Sequence, residues 1–171
     1  QAGEALVVRL TNSIFAQAVR SKASDIHISP RHNTVQLRYR IDGKLIEMPS
    51  PPKSVFFFLF ARIKILANMD ITVSRVPQDG RFTMKTENKE INVRVSSLPT
   101  IHGENLVLRL LDMSAGIYTL DSLGMDAQDM AKIESMCQKP YGMILSTGPT
   151  GSGKSTSLYA ILNAINKPDI N

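Results

Sequence analysis

Leu6, Val7, Leu10, Ile14, Ala18 and Val19 fall on one stripe at helical spacing, which predicts an amphipathic helix over about 4–22. Beyond it the period drops to two. Ile26 and Ile28 alternate with His27 and Ser29, and Val35, Leu37, Tyr39 and Ile41 alternate with Gln36, Arg38 and Arg40, so two strands follow. Asp42-Gly43 is a tight-turn pair that leads into a third strand over Lys44–Met48. Pro49-Ser50-Pro51-Pro52 breaks the pattern. A helix over about 53–67 comes next, and its triple phenylalanine, residues 56–58, reads as core or packing surface.

The second half of this block is again extended. Phe82 and Met84 open a strand, a turn falls near Glu87-Asn88, and Ile91, Val93 and Val95 alternate with Asn92, Arg94 and Ser96. Over Glu104–Leu111, Leu106, Leu108 and Leu110 face one way, and Val107, Arg109 and Leu111 the other. Together these elements predict one α+β domain over 1–112, long enough to bury its own core. Residues 113–119, beginning Met113-Ser114-Ala115-Gly116, have the composition of a linker. After it come a helix over about 126–137, a breaker at Lys139-Pro140-Tyr141 and an apolar run, Gly142–Thr147, that reads as a buried strand. Leu158, Ile161, Leu162 and Ile165 return to helical spacing, so 120–171 reads as the start of a second, α/β domain.

Between that strand and that helix lies Gly148-Pro149-Thr150-Gly151-Ser152-Gly153-Lys154-Ser155-Thr156. The run matches G-x-x-x-x-G-K-[ST], the loop that holds nucleotide phosphates. Its glycines let successive backbone N–H groups converge on phosphate oxygens, and the helix N-terminus adds its positive dipole end. Lys154 is expected to reach the β- and γ-phosphates of ATP, and the Ser155 hydroxyl to complete the coordination of a magnesium ion. A catalytic domain of this kind also needs further parallel strands and a magnesium-associated carboxylate. The chain stops at Asn171, so the expectation is a fragment that breaks off inside its catalytic domain and is inactive alone.

Composition narrows the setting. Apolar residues make up 43% and charged residues 20%, a soluble globular balance rather than a disordered one. The formal net charge of +5 is spread out, with no basic run to mark a nucleic-acid tail, so no nucleic-acid partner is expected. The single Cys137 excludes an internal disulfide and a Cys-rich zinc site within this stretch, and it reads as a small residue near a helix end. The apolar run at 55–61 stops at Arg62, far too short to cross a bilayer. A cytoplasmic protein, peripheral at a membrane, is the expectation.

Arg94 and Arg109 sit mid-strand, opposite the apolar rows. Residue type alone leaves two readings: a solvated strand face, or a basic face offered to an anion such as a γ-phosphoryl group.

Several ordered blocks bear on that choice. They are Ala23-Ser24-Asp25-Ile26-His27-Ile28, Arg40-Ile41-Asp42-Gly43-Lys44-Leu45, Arg62-Ile63-Lys64-Ile65-Leu66-Ala67, Pro77-Gln78-Asp79-Gly80-Arg81, Arg94-Val95-Ser96-Ser97-Leu98-Pro99 and Gly103–Arg109. With the phosphate loop, the series resembles the hexameric ATPases that drive type II secretion and type IV pilus assembly, the GspE/PilB family. The resemblance covers nearly the whole chain. It implies a PAS-like N-terminal domain, a flexible linker and a RecA-like ATPase domain. It also implies a homo-hexamer working with an inner-membrane platform protein and a cytoplasmic adaptor. Arg94 and Arg109 match family arginines that sense the γ-phosphate, with Arg75 and Arg81 as weaker candidates. Asp25 and His27 are expected to be structural, and His102 a turn residue. The rival reading is a non-catalytic, nucleotide-responsive assembly module; a nucleic-acid translocase fits the dispersed charge poorly. The chain departs from the family at Thr72-Val73, where alanine and glutamate are usual, and at Ser157, where threonine is usual.

Overall fold

The structure, a computed structural model, describes residues 2–113, 118–149 and 152–166. The chain forms two compact units, Gln1–Ser114 and Ala115–Asn171.

In the first unit the helical stripe gives α1 (Ala2–Arg20), which ends where Lys22 takes a left-handed conformation, φ 55°. The period-two segments give β1 (Asp25–Pro30), β2 (Val35–Ile41) and β3 (Lys44–Met48), followed by α2 (Lys53–Leu66). Then come β4 (Gln78–Thr86), β5 (Lys89–Thr100) and β6 (Gly103–Asp112). The β4 strand starts at Gln78, ahead of the Phe82 expected from alternation, because β5 is long enough to pair with it from Ser97 onward. All pairings are antiparallel, in the order β3-β2-β1-β6-β5-β4.

Two hairpins close through two-residue turns with both φ angles positive, Asp42-Gly43 at 50° and 77° and Glu87-Asn88 at 51° and 59°. That geometry matches the right-handed twist of the flanking strands. It is why the first turn carries Gly, and the second an Asn, at its second position.

Both helices contribute to the same core as the sheet. Ile14, Phe15 and Ala18 of α1 and Phe56, Leu59 and Ile63 of α2 are buried with Ile26, Ile28, Leu37, Tyr39, Val93, Val95, Leu106 and Leu108. Phe15 meets Phe82 edge to face at 5.8 Å between ring centres. The Tyr39 hydroxyl, buried in this core, donates to the Ile14 carbonyl at 2.7 Å, and burial pushes its pKa up to about 12. The triple phenylalanine divides: Phe56 is core, while Phe57 is 75% and Phe58 59% exposed. Three consecutive helical positions span about 200° of arc, too wide for one buried face.

Among the described residues, the ion pair of Lys64 and Glu104 is buried. Lys64 of α2, 2% exposed, holds Glu104 at 2.7 Å and donates to the Val73 carbonyl at 2.8 Å, while Ser97 Oγ donates to the same Glu104 oxygen at 2.8 Å. This pins the segment between α2 and β4. The same segment is tied locally by Thr72, whose N–H and hydroxyl both donate to Asp70 Oδ1 at 2.8 and 2.7 Å. Gln78 completes the tie through Asp70 and Val73. The Thr72 departure from the family pattern thus forms a local turn.

In the second unit a 3-10 turn (Leu120–Leu123) is followed by α3 (Ala127–Cys137) and α4 (Lys154–Ile165). Asp126 caps α3 by accepting the Asp129 N–H at 2.9 Å. Ala160 of α4 and Leu120 are buried, and α4 packs on the 3-10 turn. The strand expected over 142–147 is a correction: these residues form no strand, with Met143 83% and Leu145 78% exposed. A strand needs a neighbour to take its N–H and C=O groups, and the described residues of this unit include no other strand.

Lys64→Met is expected to destabilise the first unit by about 3–5 kcal/mol, because it strands a buried carboxylate. Adding Glu104→Gln should recover most of that loss. Chemical denaturation of the single and double variants measures both, and additive losses would show that the pair is not coupled.

Candidate functional site

Two places carry chemistry, one in each unit. In the second unit the phosphate-loop residues run into the N-terminus of α4. Gly153 precedes the helix at φ 93°, and Gly148 lies at φ 152°. At that φ a side chain would be strained, and a Cβ at Gly148 would also displace Ser152 Oγ, 2.7 Å away, so the curl favours glycine. Ser152 N–H donates to the Pro149 carbonyl at 3.2 Å. Lys154, the first residue of α4, donates through Nζ to the Gly148 carbonyl and, at 3.2 Å, to that of Pro149. The lysine thus ties the start of the loop to the helix.

Ser157 N–H makes the first intrahelical bond, to Gly153. The N–H groups of Lys154, Ser155 and Thr156 therefore lie at the open end of the helix, where an anion is favoured. Ser155 is exposed there. Thr150 and Gly151 lie outside the described residues, as do residues 114–117 of the linker expected over 113–119. Among the described residues no group of three or more His, Cys, Asp and Glu side chains is placed to hold a metal. A magnesium ion carried by a nucleotide keeps phosphate oxygens and waters as ligands and asks the protein for little more than one hydroxyl. The exposed Ser155 fits that demand.

In the first unit the site is built by strand register. The sheet face away from the core carries one row across five strands: Arg40 on β2, Asp25 on β1, Arg109 on β6, Arg94 on β5 and Arg81 on β4. Each is directly opposite the next. Asp25, 7% exposed, is paired on both sides, with Arg40 Nε 3.6 Å from Oδ2 and Arg109 Nε 3.4 Å from Oδ1. Arg94 and Arg81 form no ion pair or side-chain hydrogen bond with any described residue. Like charges set directly opposite in a sheet repel one another, so this cluster weakens the sheet unless something anionic meets it. Arg81, Arg94 and Arg109 line a depression of about 650 Å³ together with Asp79 and Ser96. The Asp79 carboxylate is engaged by the Ser96 hydroxyl at 2.5 Å.

The structure therefore groups three of the four arginines named from the sequence. Arg75 lies apart from them, lining a separate apolar depression beside Phe56, Phe60 and Ile71. It sits on the segment between α2 and β4, outside the sheet, so no register brings it to the row. Arg40 belongs to the row but has no distinguishing signal in the sequence. Its alignment with Asp25 follows only from the β1–β2 pairing. His102 is in the turn before β6, as expected, with its ring 6.2 Å from that of His32.

His27 sits in the next row, between Arg38 and Val107. Burial pushes its pKa below the ordinary value, and Arg40 and Arg38 push the same way against Asp25.

Comparison with known proteins settles the family. Residues 1–171 match the model of the type II/IV secretion system protein family. The chain belongs to that family. It is 49% identical over 165 residues to the putative type II secretion system protein E of Escherichia coli K12, covering 96% of this chain and 34% of the relative. It is 44% identical over 171 residues to the type IV pilus assembly ATPase PilB of Myxococcus xanthus, covering 99% of this chain and 30% of that protein. The chain thus spans about a third of the length of these curated relatives. Among solved structures, the pilus retraction motor PilT with bound ADP aligns with a TM-score of 0.58 at 23% identity, over 91% of this chain and 43% of that one. At that identity the likeness is one of fold: mixed α/β, here with a single antiparallel sheet in the first unit.

The neutral His27 has a stability consequence. The unfolded chain takes up a proton near 6.5, whereas the folded chain resists doing so until lower pH. The unfolded state then binds more protons, so stability falls as pH drops below about 6.5. Denaturation midpoints between pH 7 and 5 should decline, and His27→Gln should flatten the decline. An unchanged slope in the variant would remove His27 as its source.

Proposed function

We propose that this chain is part of a hexameric ATPase that binds and hydrolyses ATP to power type II secretion or type IV pilus assembly. The observation that carries the reading is the row of Arg109, Arg94 and Arg81, two of them without a counter-charge, in a chain that also holds Gly148–Thr156 at a helix N-terminus. Family membership supports it, since relatives in both machines match across the chain. On this reading the first unit is a PAS-like domain and the second the start of a RecA-like ATPase domain, joined by a linker over 113–119.

The roles follow from charge and hydrogen-bonding capacity. Gly148–Gly153 present backbone N–H groups to phosphate oxygens, with Thr150 and Gly151 included by motif. Lys154 exchanges its loop carbonyls for β- and γ-phosphate oxygens. Ser155 contributes its hydroxyl to magnesium, and Thr156 extends the cradle. Magnesium, when bound, neutralises charge on the phosphate oxygens. Arg94 and Arg109 meet the γ-phosphoryl group, where planar guanidinium donors suit the spread of oxygen charge. Arg81 lies beside them as a further donor. Hydrolysis then alters the contact that the first unit makes with nucleotide and drives a rigid-body movement. The assembled protein works in the cytoplasm, peripherally at the inner membrane, on a platform protein with a cytoplasmic adaptor. No helix among the described residues is long and apolar enough to cross a membrane.

Titration with magnesium and a slowly hydrolysed ATP analogue tests this. Binding should saturate, vanish in Lys154→Ala and weaken about 10-fold in Arg94→Ala, the loss of a charge-assisted hydrogen bond. Equal affinity in Arg94→Ala would reduce the arginine face to a solvated surface. Turnover is measured in a longer chain that continues past Asn171, and binding without turnover there would favour the nucleotide-responsive assembly module instead.

A further inference from the structure

Asp25 is the one acidic residue in the row of arginines, and its position is unusual. Its side chain is 11% exposed, whereas that of Arg109 above it is 63% exposed. Both carboxylate oxygens are used. Oδ2 receives the Ser24 hydroxyl at 2.8 Å and faces Arg40 Nε at 3.6 Å; Oδ1 accepts from Arg109 Nε at 3.4 Å. Arg40 is itself anchored, donating through Nη1 to the Gly43 carbonyl in the β2–β3 turn at 3.1 Å. Backbone bonds lock the same corner, with Ser24 N–H donating to the Arg40 carbonyl and Leu110 N–H to the Ser24 carbonyl, each at 2.9 Å. A fixed chain of contacts thus runs from the turn through Arg40 and Asp25 to Arg109.

Asp25 takes only the Nε edge of Arg109. The two terminal nitrogens of that guanidinium make no bond with any described residue. One strand further, Arg94 is about two strand spacings from Asp25, roughly 10 Å, beyond reach of direct pairing. Asp25 therefore holds one arginine by its inner edge and leaves the next two unneutralised. For an exposed arginine, with several rotatable bonds, such a hold lowers the conformational freedom that anion binding would otherwise cost.

We propose that Asp25 is a positioning residue for the anion site: it aims Arg109 so that its terminal nitrogens act together with Arg94 and Arg81 on a phosphate group. The proposal rests on the reading of that face as a γ-phosphate site. It has an unusual sign. If Asp25 were only a nearby charge, its removal would strengthen the binding of an anion, because a repulsive carboxylate is lost. If it positions Arg109, its removal weakens binding although the site becomes more positive.

The probe is the magnesium complex of the slowly hydrolysed ATP analogue, titrated into the full chain, with thermal unfolding recorded for every variant. Asp25→Asn should weaken binding about 10-fold, as expected when a charge-assisted hydrogen bond to phosphate loses its geometry. Asp25→Glu keeps the charge but moves the carboxylate, and it should weaken binding too; a pure charge effect predicts no change there. Tighter or unchanged binding in Asp25→Asn, with Arg94→Ala still weakened, overturns the positioning role and leaves the arginine site standing. A lowered melting temperature with unchanged affinity overturns it as well, and makes Asp25 structural. Unchanged affinity in both Arg94→Ala and Arg109→Ala instead overturns the reading of the face itself, and the proposal with it. Should Asp25→Asn fail to fold, Ser24→Ala removes only the hydroxyl that fixes Oδ2. A few-fold loss in that variant supports the role, and none overturns it.

Discussion

The two-residue repeat of a pleated strand is the constraint from which both faces of the first unit follow. Each apolar residue sent inward on β1, β2, β5 and β6 obliges its neighbour to face outward. The inward set packs with α1 and α2, and the outward set becomes a surface whose chemistry is fixed by the same register. A slip of one residue in β6 would expose Leu108 and bury Arg109, a change that the core would resist at both positions. The burial of Ile26, Val93, Val95 and Leu108 is therefore also what keeps Arg109 and Arg94 side by side.

The outward face shows a tension between stability and function. Opposed arginines repel, and a sheet selected only for stability would alternate their signs. Here Asp25 stands at one end of the cluster, shared between Arg40 and Arg109, and the depression between β4, β5 and β6 sets Asp79, held by Ser96, against three arginines. Water screens some of the repulsion at this exposed face, and the core on the other side supplies the stability that holds it. Three guanidinium groups against one carboxylate leave an excess of positive charge at the depression, the arrangement expected where a ligand brings the missing charge.

The second unit presents the opposite case, a glycine-rich loop with little packing around it. Its glycines and Lys154 shape the turn locally, and α4 begins where the loop ends. The segment before it does not become a strand, because a strand is not a local structure: its hydrogen bonds belong to a neighbour. Leu158 and Leu162 of α4 are exposed as well, and the described residues of this unit include no sheet against which they could pack.

The sequence alone determined what depends on neighbours along the chain. The helical stripe of α1, the alternation in β2, β5 and β6 and the turns at Asp42-Gly43 and Glu87-Asn88 were all legible, since each is set by residues within a few positions of one another. Arg94 and Arg109 were legible as candidates through ordered motifs. Tertiary structure alone decided which side chains meet. Asp25 and Arg109 are 84 positions apart, and only the pairing of the first strand with the last brings them together. The pairing of β1 with β2 adds Arg40 to the row, Arg75 lies outside every strand, and the division of the phenylalanines between core and surface also depends on what α2 packs against. Periodicity tells a residue which way to face. What it faces is settled by strand order, because hydrogen bonds between strands join parts of the chain that no local pattern connects.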